Sequence, residues 1–222
     1  MRKIMALLSV FVLLGAVMAI QPVSSWTAGA QSKYSPTPAG GFTTEGGNVT
    51  EVNLSSSVST EKWAGVYGNI TGTIVLAPNA ASTFYSWTWT PTNGGVVCAS
   101  ESATVDWGDI VPKTASSIDS DMGFTTSDTD SATNTFTDSS CNIRIAGSSY
   151  TTTGVYVNGG SFQTCALSGD VQYPNDYYYC VNITNGGTVF SGTTVTADYA
   201  LMLPTPEQEN QYKTYYFWLE LH

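Results

Sequence analysis

The chain has a single histidine, and it is the final residue, His222. A Ser-His-Asp or Cys-His nucleophile system therefore has no plausible base, and histidine-ligated metals are disfavoured for the same reason. Charge is scarce as well. Asp, Glu, Lys and Arg make up 11% of the 222 residues, with 7 basic residues against 17 acidic ones. Nucleic acid and anionic membrane surfaces both demand clusters of Lys and Arg, so this balance argues against either as a partner. What fills the chain instead is Ser, Thr, Asn and Gly, with 12% aromatics. That profile suits an extracellular β protein and disfavours helices.

One long apolar run exists, at the start. Arg2-Lys3 precede an uncharged stretch from Ile4 to Ile20, followed by Gln21-Pro22 and then by Ala28-Gly29-Ala30. A basic start, an apolar core and a small-x-small site describe an export signal over residues 1–30, with cleavage expected after Ala30. The run is also long enough to span a bilayer, so an uncleaved anchor is the alternative, and the only contact with a membrane the sequence offers. Without Arg2 and Lys3 the 7 basic residues fall to 5 against 17 acidic, a net charge of −12. Residues 31–47 hold two prolines, four glycines and little apolar content, which predicts a flexible arm. Residues 48–222 suit one domain with a sizeable core.

Four cysteines, Cys98, Cys141, Cys165 and Cys180, all follow the export signal. An even count in an exported chain reads as two disulfides, with three possible connectivities. The spacing favours Cys98–Cys141 and Cys165–Cys180, the latter closing a loop of about 15 residues and contributing about 3 kcal/mol. A four-cysteine zinc site is the rival, but no pair has the close spacing such sites use.

The stretch Trp63–Leu76 alternates in its second half, with Ile70, Gly72, Ile74 and Leu76 on one face. Glycines at 65, 68 and 72 among large aromatics suggest rings lying against bare backbone, so that Trp63 and Tyr67 close one end of a β core. Upstream, Val52, Leu54 and Val58 fall in phase within residues 48–58, which predicts a half-buried strand behind a mobile tether. Downstream come a turn at Pro78-Asn79 and a strand in which Trp87 and Trp89 share a face. Asn-Gly-Gly recurs at Asn93–Gly95, Asn158–Gly160 and Asn185–Gly187, each between strand-like runs, and each is a hairpin signal. Residues 116–140 read as a long Ser/Thr/Asp-rich loop whose large apolar residues are Ile118, Met122, Phe124 and Phe136. The end, Tyr199–Leu203 and Lys213–Leu221, reads as a final hairpin in which Tyr215, Phe217, Leu219 and Leu221 face one way. The sum is an all-β fold: an antiparallel sandwich, jelly-roll-like, of about ten strands with a flexible N-terminal arm.

Candidate chemistry is sparse. A glycosidase-type carboxylate pair would have to come from Glu101, Asp106, Asp109, Glu51 or Glu61, and lone acids beside Trp107 are more often solvated loop residues. Asp119, Asp121, Asp128 and Asp130 place oxygens two apart, as calcium sites do, but complete no calcium-loop pattern, so an acidic solvated loop is the simpler reading and no cofactor is expected. Asn48, Asn53, Asn69 and Asn182 each begin N-x-Ser/Thr, which predicts N-linked glycans on an exported chain. Six tryptophans and thirteen tyrosines either fill a core and a subunit interface or stack on sugar rings, with Trp87 and Trp218 the candidates.

At Trp63-Ala-Gly-Val-Tyr-Gly-Asn-Ile-Thr-Gly72, Asp198-Tyr-Ala-Leu-Met-Leu-Pro204 and Tyr215-Tyr-Phe-Trp-Leu219 the chain resembles secreted archaeal proteins of undetermined role. That likeness implies an extracytoplasmic β fold and brings no active site. By layout alone, with export signal, arm, alternating strand and sandwich, it also resembles subunits of donor-strand filaments such as archaeal bundling pili and TasA-like matrix fibres. That second likeness implies a homopolymer built head to tail, with Val52, Leu54 and Val58 filling a groove beside a neighbour's Tyr215, Phe217 and Leu219. Two functions stay open: a structural filament subunit and a carbohydrate-binding module.

Overall fold

A computed structural model describes residues 20–35, 40–169, 176–206 and 212–222. The early strands are β1 (Gln21–Pro22), β2 (Trp63–Gly68), β3 (Gly72–Leu76), β4 (Tyr85–Trp89), β5 (Gly95–Ser100) and β6 (Ile110–Pro112). Two short helices follow, α1 (Ala115–Met122) and α2 (Ala132–Thr135). The later strands are β7 (Asp138–Ile145), β8 (Ser148–Tyr156), β9 (Gln163–Gly169), β10 (Tyr177–Asn182), β11 (Gly187–Thr188), β12 (Thr196–Ala197), β13 (Tyr199–Pro204) and β14 (Tyr216–Leu221). All pairings are antiparallel. One sheet runs β1-β14-β5-β10-β9-β8-β7, with β6 also on β9, and three two-stranded sheets pair β11 with β12, β13 with β2, and β3 with β4.

The middle of the large sheet is covered on both faces. Every residue of β5 is buried, as are nearly all of β9 and β10. Successive side chains of a strand point to opposite faces, and the core divides accordingly. Val97, Ala99, Ala166, Tyr179 and Val181 meet β2, β13 and the two helices on one face. Val96, Cys98, Cys165, Leu167, Cys180 and Trp218 meet Trp107 and the Ile143 and Ile145 side chains of β7 on the other. This is the antiparallel sandwich-like architecture that the alternating segments predict, with more and shorter strands than ten.

Local pairings differ from the sequence reading in several places. Of the three Asn-Gly-Gly turns, only Asn158–Gly160 joins paired neighbours, β8 and β9. The other two link different sheets: β4 pairs with β3, and β11 with β12. Among the described residues the strands of the expected final hairpin do not pair with each other: β13 pairs with β2 and β14 with β5. A turn signal fixes a reversal of direction, while longer-range burial chooses the partner. Residues 116–140 are not a plain loop. Ile118 and Met122, four apart, form one face of α1, which Thr114 caps by accepting from the Ser117 amide and which Gly123 ends in the left-handed conformation. All four apolar residues of the stretch are buried.

Residues 48–58 form no strand in the single chain. Val49, Leu54 and Val58 are largely exposed, and the segment pairs with none of the described strands. Trp63 does close one end of the core, with its ring against Phe124 and Phe136 and its Nε1 donating to the Asp130 carbonyl at 2.7 Å. Tyr67 does not: it is half exposed, edge-on to Phe190. The ring that lies over bare backbone belongs to Tyr199, against Gly68.

The disulfides are Cys98–Cys180 and Cys141–Cys165, not the pairs that spacing favoured. Register explains the difference. Cys180 stands directly opposite Cys98 on β5 and opposite Cys165 on β9, so it has two neighbours in reach. Cys165 is taken instead by Cys141, which reaches it from β7 across the intervening strand β8 at Gly154. A Cβ on Gly154 would lie 2.6 Å from Cys141 Sγ, so only glycine leaves room for the crossing. With separations of 24 and 82 residues, the two bonds contribute about 3 and about 4.5 kcal/mol by loop closure. Gly154→Val is therefore expected to destabilise by ~2–4 kcal/mol and to leave two titratable thiols after unfolding. Thiol labelling with thermal melting checks this, and an unchanged melting temperature with no free thiol would refute the crossing.

Candidate interaction surface

The β3–β4 hairpin is the one two-stranded sheet that stands away from the core. Its register sets Gly72 against Trp89, Ile74 against Trp87 and Leu76 against Tyr85, so six residues share one face. The root is anchored. Trp89 is buried and its Nε1 donates to the Gly94 carbonyl at 3.1 Å. A Cβ on Gly72 would come 2.5 Å from Leu221 Cδ1, so the Leu221 side chain packs directly over the bare backbone there. Beyond the root the same face is bare. Tyr85 is 57% exposed and Trp87 48%, with Leu76 and the neighbouring Phe84 also in solvent. Neither β3 nor β4 has a second pairing partner among the described residues. An isolated hairpin is marginal in water, and an apolar ridge with two open edges is the kind of surface that binds another chain.

A shallow cleft of about 410 Å³ runs along the hairpin, lined by Ile74, Trp87, Thr88, Trp89, Asn93 and His222. The Tyr85 and Trp87 rings meet edge to face at 4.8 Å. Asn93 also closes the turn below, its Oδ1 accepting from the Thr90 amide at 3.0 Å. The other tryptophan named for sugar stacking, Trp218, is inside: it is buried edge-on to Trp107 and offers no face to a ligand.

Residues 48–58 supply the second unpartnered surface, with Val52 47% and Leu54 89% exposed. The residues expected to receive them behave differently. Tyr215, Phe217 and Leu219 are half-buried and pack onto the core of their own chain. The open side of β14 is taken by β1, which sets Gln21 against Leu219 and Pro22 against Trp218.

Most of the acidic candidates are held by neighbouring groups. Asp119 is buried and accepts from the Ala132 and Thr133 amides, capping α2 from the preceding helix. Asp121 lies 3.6 Å from Lys113. Asp128 and Asp130 flank the buried Lys62 ammonium at 3.0 and 2.8 Å. The Lys62 and Thr60 hydrogen bonds hold the Asp130 carboxyl below its usual range. Among the described residues no group of three or more acidic, His or Cys side chains is placed to hold a metal ion. Glu51, Glu61, Asp106 and Asp109 are exposed; Asp106 caps a turn through the Gly108 amide, and Glu61 pairs loosely with Lys33. The glycosylation candidates Asn48, Asn53, Asn69 and Asn182 are all exposed, and Asn182 Nδ2 donates to the Asn142 carbonyl.

Glu101 is the exception among the acids. Its side chain is nearly buried, one oxygen 2.6 Å from Lys213 Nζ and the other without a hydrogen-bond partner among the described residues. Burial pushes its carboxyl up, against the pull of Lys213. The Tyr179 and Tyr215 hydroxyls are pushed up by burial as well. Sequence reasoning singled out Glu101 but not Lys213, which lies 112 residues away (213 − 101) and gives no local signal.

No known protein family, no curated protein and no solved structure matches the chain.

The Glu101–Lys213 pair has a pH signature. A carboxyl whose folded pKa is raised takes up its proton in the folded state first, so its site gains stability as pH falls from that raised value towards about 4.5. Lys213→Met leaves the carboxylate buried and unpaired at neutral pH, at a cost of about 3 kcal/mol. The gap in melting temperature from the unmodified protein is expected to narrow between pH 7 and about pH 4.5 as Glu101 becomes neutral. An equal gap at both pH values would show that Lys213 acts by packing and not by charge.

Proposed function

We propose that this chain is a non-enzymatic extracellular structural protein, a subunit of a cell-surface or extracellular filament. Subunits join head to tail by β-strand complementation, and the exported chain carries N-linked glycans. The observation that carries this reading is the lone β3–β4 hairpin with its exposed apolar face and two open edges. In the same chain, residues 48–58 hold in-phase apolar side chains that pair with none of the described strands. The donor segment of one copy adds to a hairpin edge of the next, so that Val52 and Leu54 extend the ridge of Ile74, Leu76, Tyr85 and Trp87. Donor and acceptor are different surfaces, so the contact is heterologous and open-ended. Two disulfides, and no described helix long and apolar enough to cross a membrane, fit an extracytoplasmic subunit.

The cleft beside Trp87 favours one second reading, a carbohydrate-binding module. The exposed Trp87 ring and the polar groups of Thr88 and Asn93 are what a pyranose face and its hydroxyls would meet.

Native secreted material is expected to show fibres by negative-stain microscopy, and deletion of residues 31–58 is expected to give only monomers. Fibres that persist in the deletion, or a parent chain that never assembles, would overturn the filament reading. On a glycan array, specific binding lost at least tenfold in Trp87→Ala would favour the sugar-binding module, and no binding would remove it.

A further inference from the structure

The first described residue is already part of the folded domain. Ile20 is 1% exposed and packs in the core cluster with Val96, Cys98, Trp107 and Trp218. The next residues are the edge strand β1, antiparallel to β14, and the Val23 amide extends the ladder by donating to the Phe217 carbonyl at 3.0 Å. Cleavage after Ala30, which the small residues Ala28 and Ala30 suggest, would strip Ile20 and β1 from the fold and bare Trp218 and the side of β14. Retention as an anchor is no easier. Ile20 cannot lie in a bilayer and in the protein core at once, and an anchor ending at Ala19 would press the sheet against the membrane with no linker.

We propose that the export signal is cleaved between Ala19 and Ile20, so that Ile20 is the amino terminus of the mature protein and its edge strand. This rests on the export reading given above. The sequence supports the position: Val17 and Ala19 set modest side chains three and one residues before the bond, at the close of the apolar run. Ala30 lies eleven residues further on (30 − 19), beyond Pro22 and a polar stretch. The step is hydrolysis by a signal peptidase of the export machinery. Water adds across the Ala19–Ile20 amide, the carboxylate leaves on Ala19, and the amine protonates on Ile20.

The strand register sets a buried carboxylate opposite that new amino terminus. The β1–β14 register, Gln21 with Leu219 and Pro22 with Trp218, continues to bring Ile20 opposite Glu220. Glu220 is 3% exposed, and its carboxylate accepts from the Ala146 amide at 2.8 Å and lies 3.3 Å from His222 Nε2. Its cationic partner at present is a histidine ring, charged only when protonated. A free α-amino group at Ile20, mostly protonated at neutral pH, would stand at the strand position opposite that carboxylate, and an ion pair between them would add to the stability that β1 brings.

Amino-terminal sequencing and intact mass of protein recovered from outside the native cells test this directly. A chain beginning at Ile20 is expected. Exported chains beginning at Gln31, or anywhere past Val23, would overturn the proposal while leaving export intact. Chains beginning at Met1 and found only inside cells would overturn both. A second measurement addresses the ion pair. Purified chains starting at Ile20 are expected to melt about 5 °C or more above chains starting at Gln31. Acetylating the Ile20 amine, or Glu220→Gln, is expected to remove part of that gain. Equal melting temperatures for the Ile20 and Gln31 chains would sink the structural argument.

Discussion

A sheet covered on both faces constrains everything around it. Nearly every position of β5, β9 and β10 is inside, so neither face tolerates charge, and each backbone ladder must be complete. The neighbouring strands and helices are therefore lids, and their sequences follow from the face they cover. On one side β2, β13, α1 and α2 bring Val66, Leu201, Ile118 and Phe136. On the other β7 bends across with Ile143 and Ile145. The Cys141–Cys165 bond fixes that bend, and the requirement for glycine at position 154 is a direct consequence of one strand being bridged over by its neighbours.

Scarcity of charge makes the few buried ions informative. Lys62 and Glu101 sit at the margins of the core, each against a partner far along the chain. Such pairs gain little over apolar contacts in free energy, yet losing one partner is costly. Their effect is to fix which segment lies where: Lys62 ties the start of β2 to the loop after α1, and Lys213 ties the approach to β14 to the end of β5. Of the acidic residues that read as ligand candidates in isolation, Asp119 caps α2 and Asp128 and Asp130 hold Lys62.

The legibility of the fold follows the range of the forces involved. Alternation such as that of Ile70, Gly72, Ile74 and Leu76 is a local property, and the all-β antiparallel character is legible from it. Partner choice is not local. Asn93–Gly95 and Asn185–Gly187 carry the same turn chemistry as Asn158–Gly160, but only the last joins strands that pair. Cysteine pairing failed for a related reason, since spacing along the chain says nothing about which cysteine register sets opposite which. The helical cap was readable: Thr114, Ile118, Met122 and Gly123 form a start, an i, i+4 face and a stop. Composition concealed it, because Ser and Asp predominate around those four residues. For the interaction surface, the apolar character of Trp87, Val52, Leu54 and Val58 is plain in the sequence, whereas their exposure, like the burial of Trp218 and Phe217, depends on what the rest of the chain lays over them.

Edges decide how such a molecule behaves towards its neighbours. An antiparallel sheet must end somewhere, and an uncovered end invites another strand. Here the β14 side is closed by a two-residue strand from the beginning of the domain, with Ile20 plugging the core beside it. Proline at position 22 has no amide hydrogen to offer outward, which discourages further addition there. The hairpin at β3–β4 lacks any such guard: no proline, no lysine, and aromatic rings in place of charges along its face. Under the filament reading proposed above, the bare hairpin edge is where the valine and leucine side chains of a neighbour's arm would add.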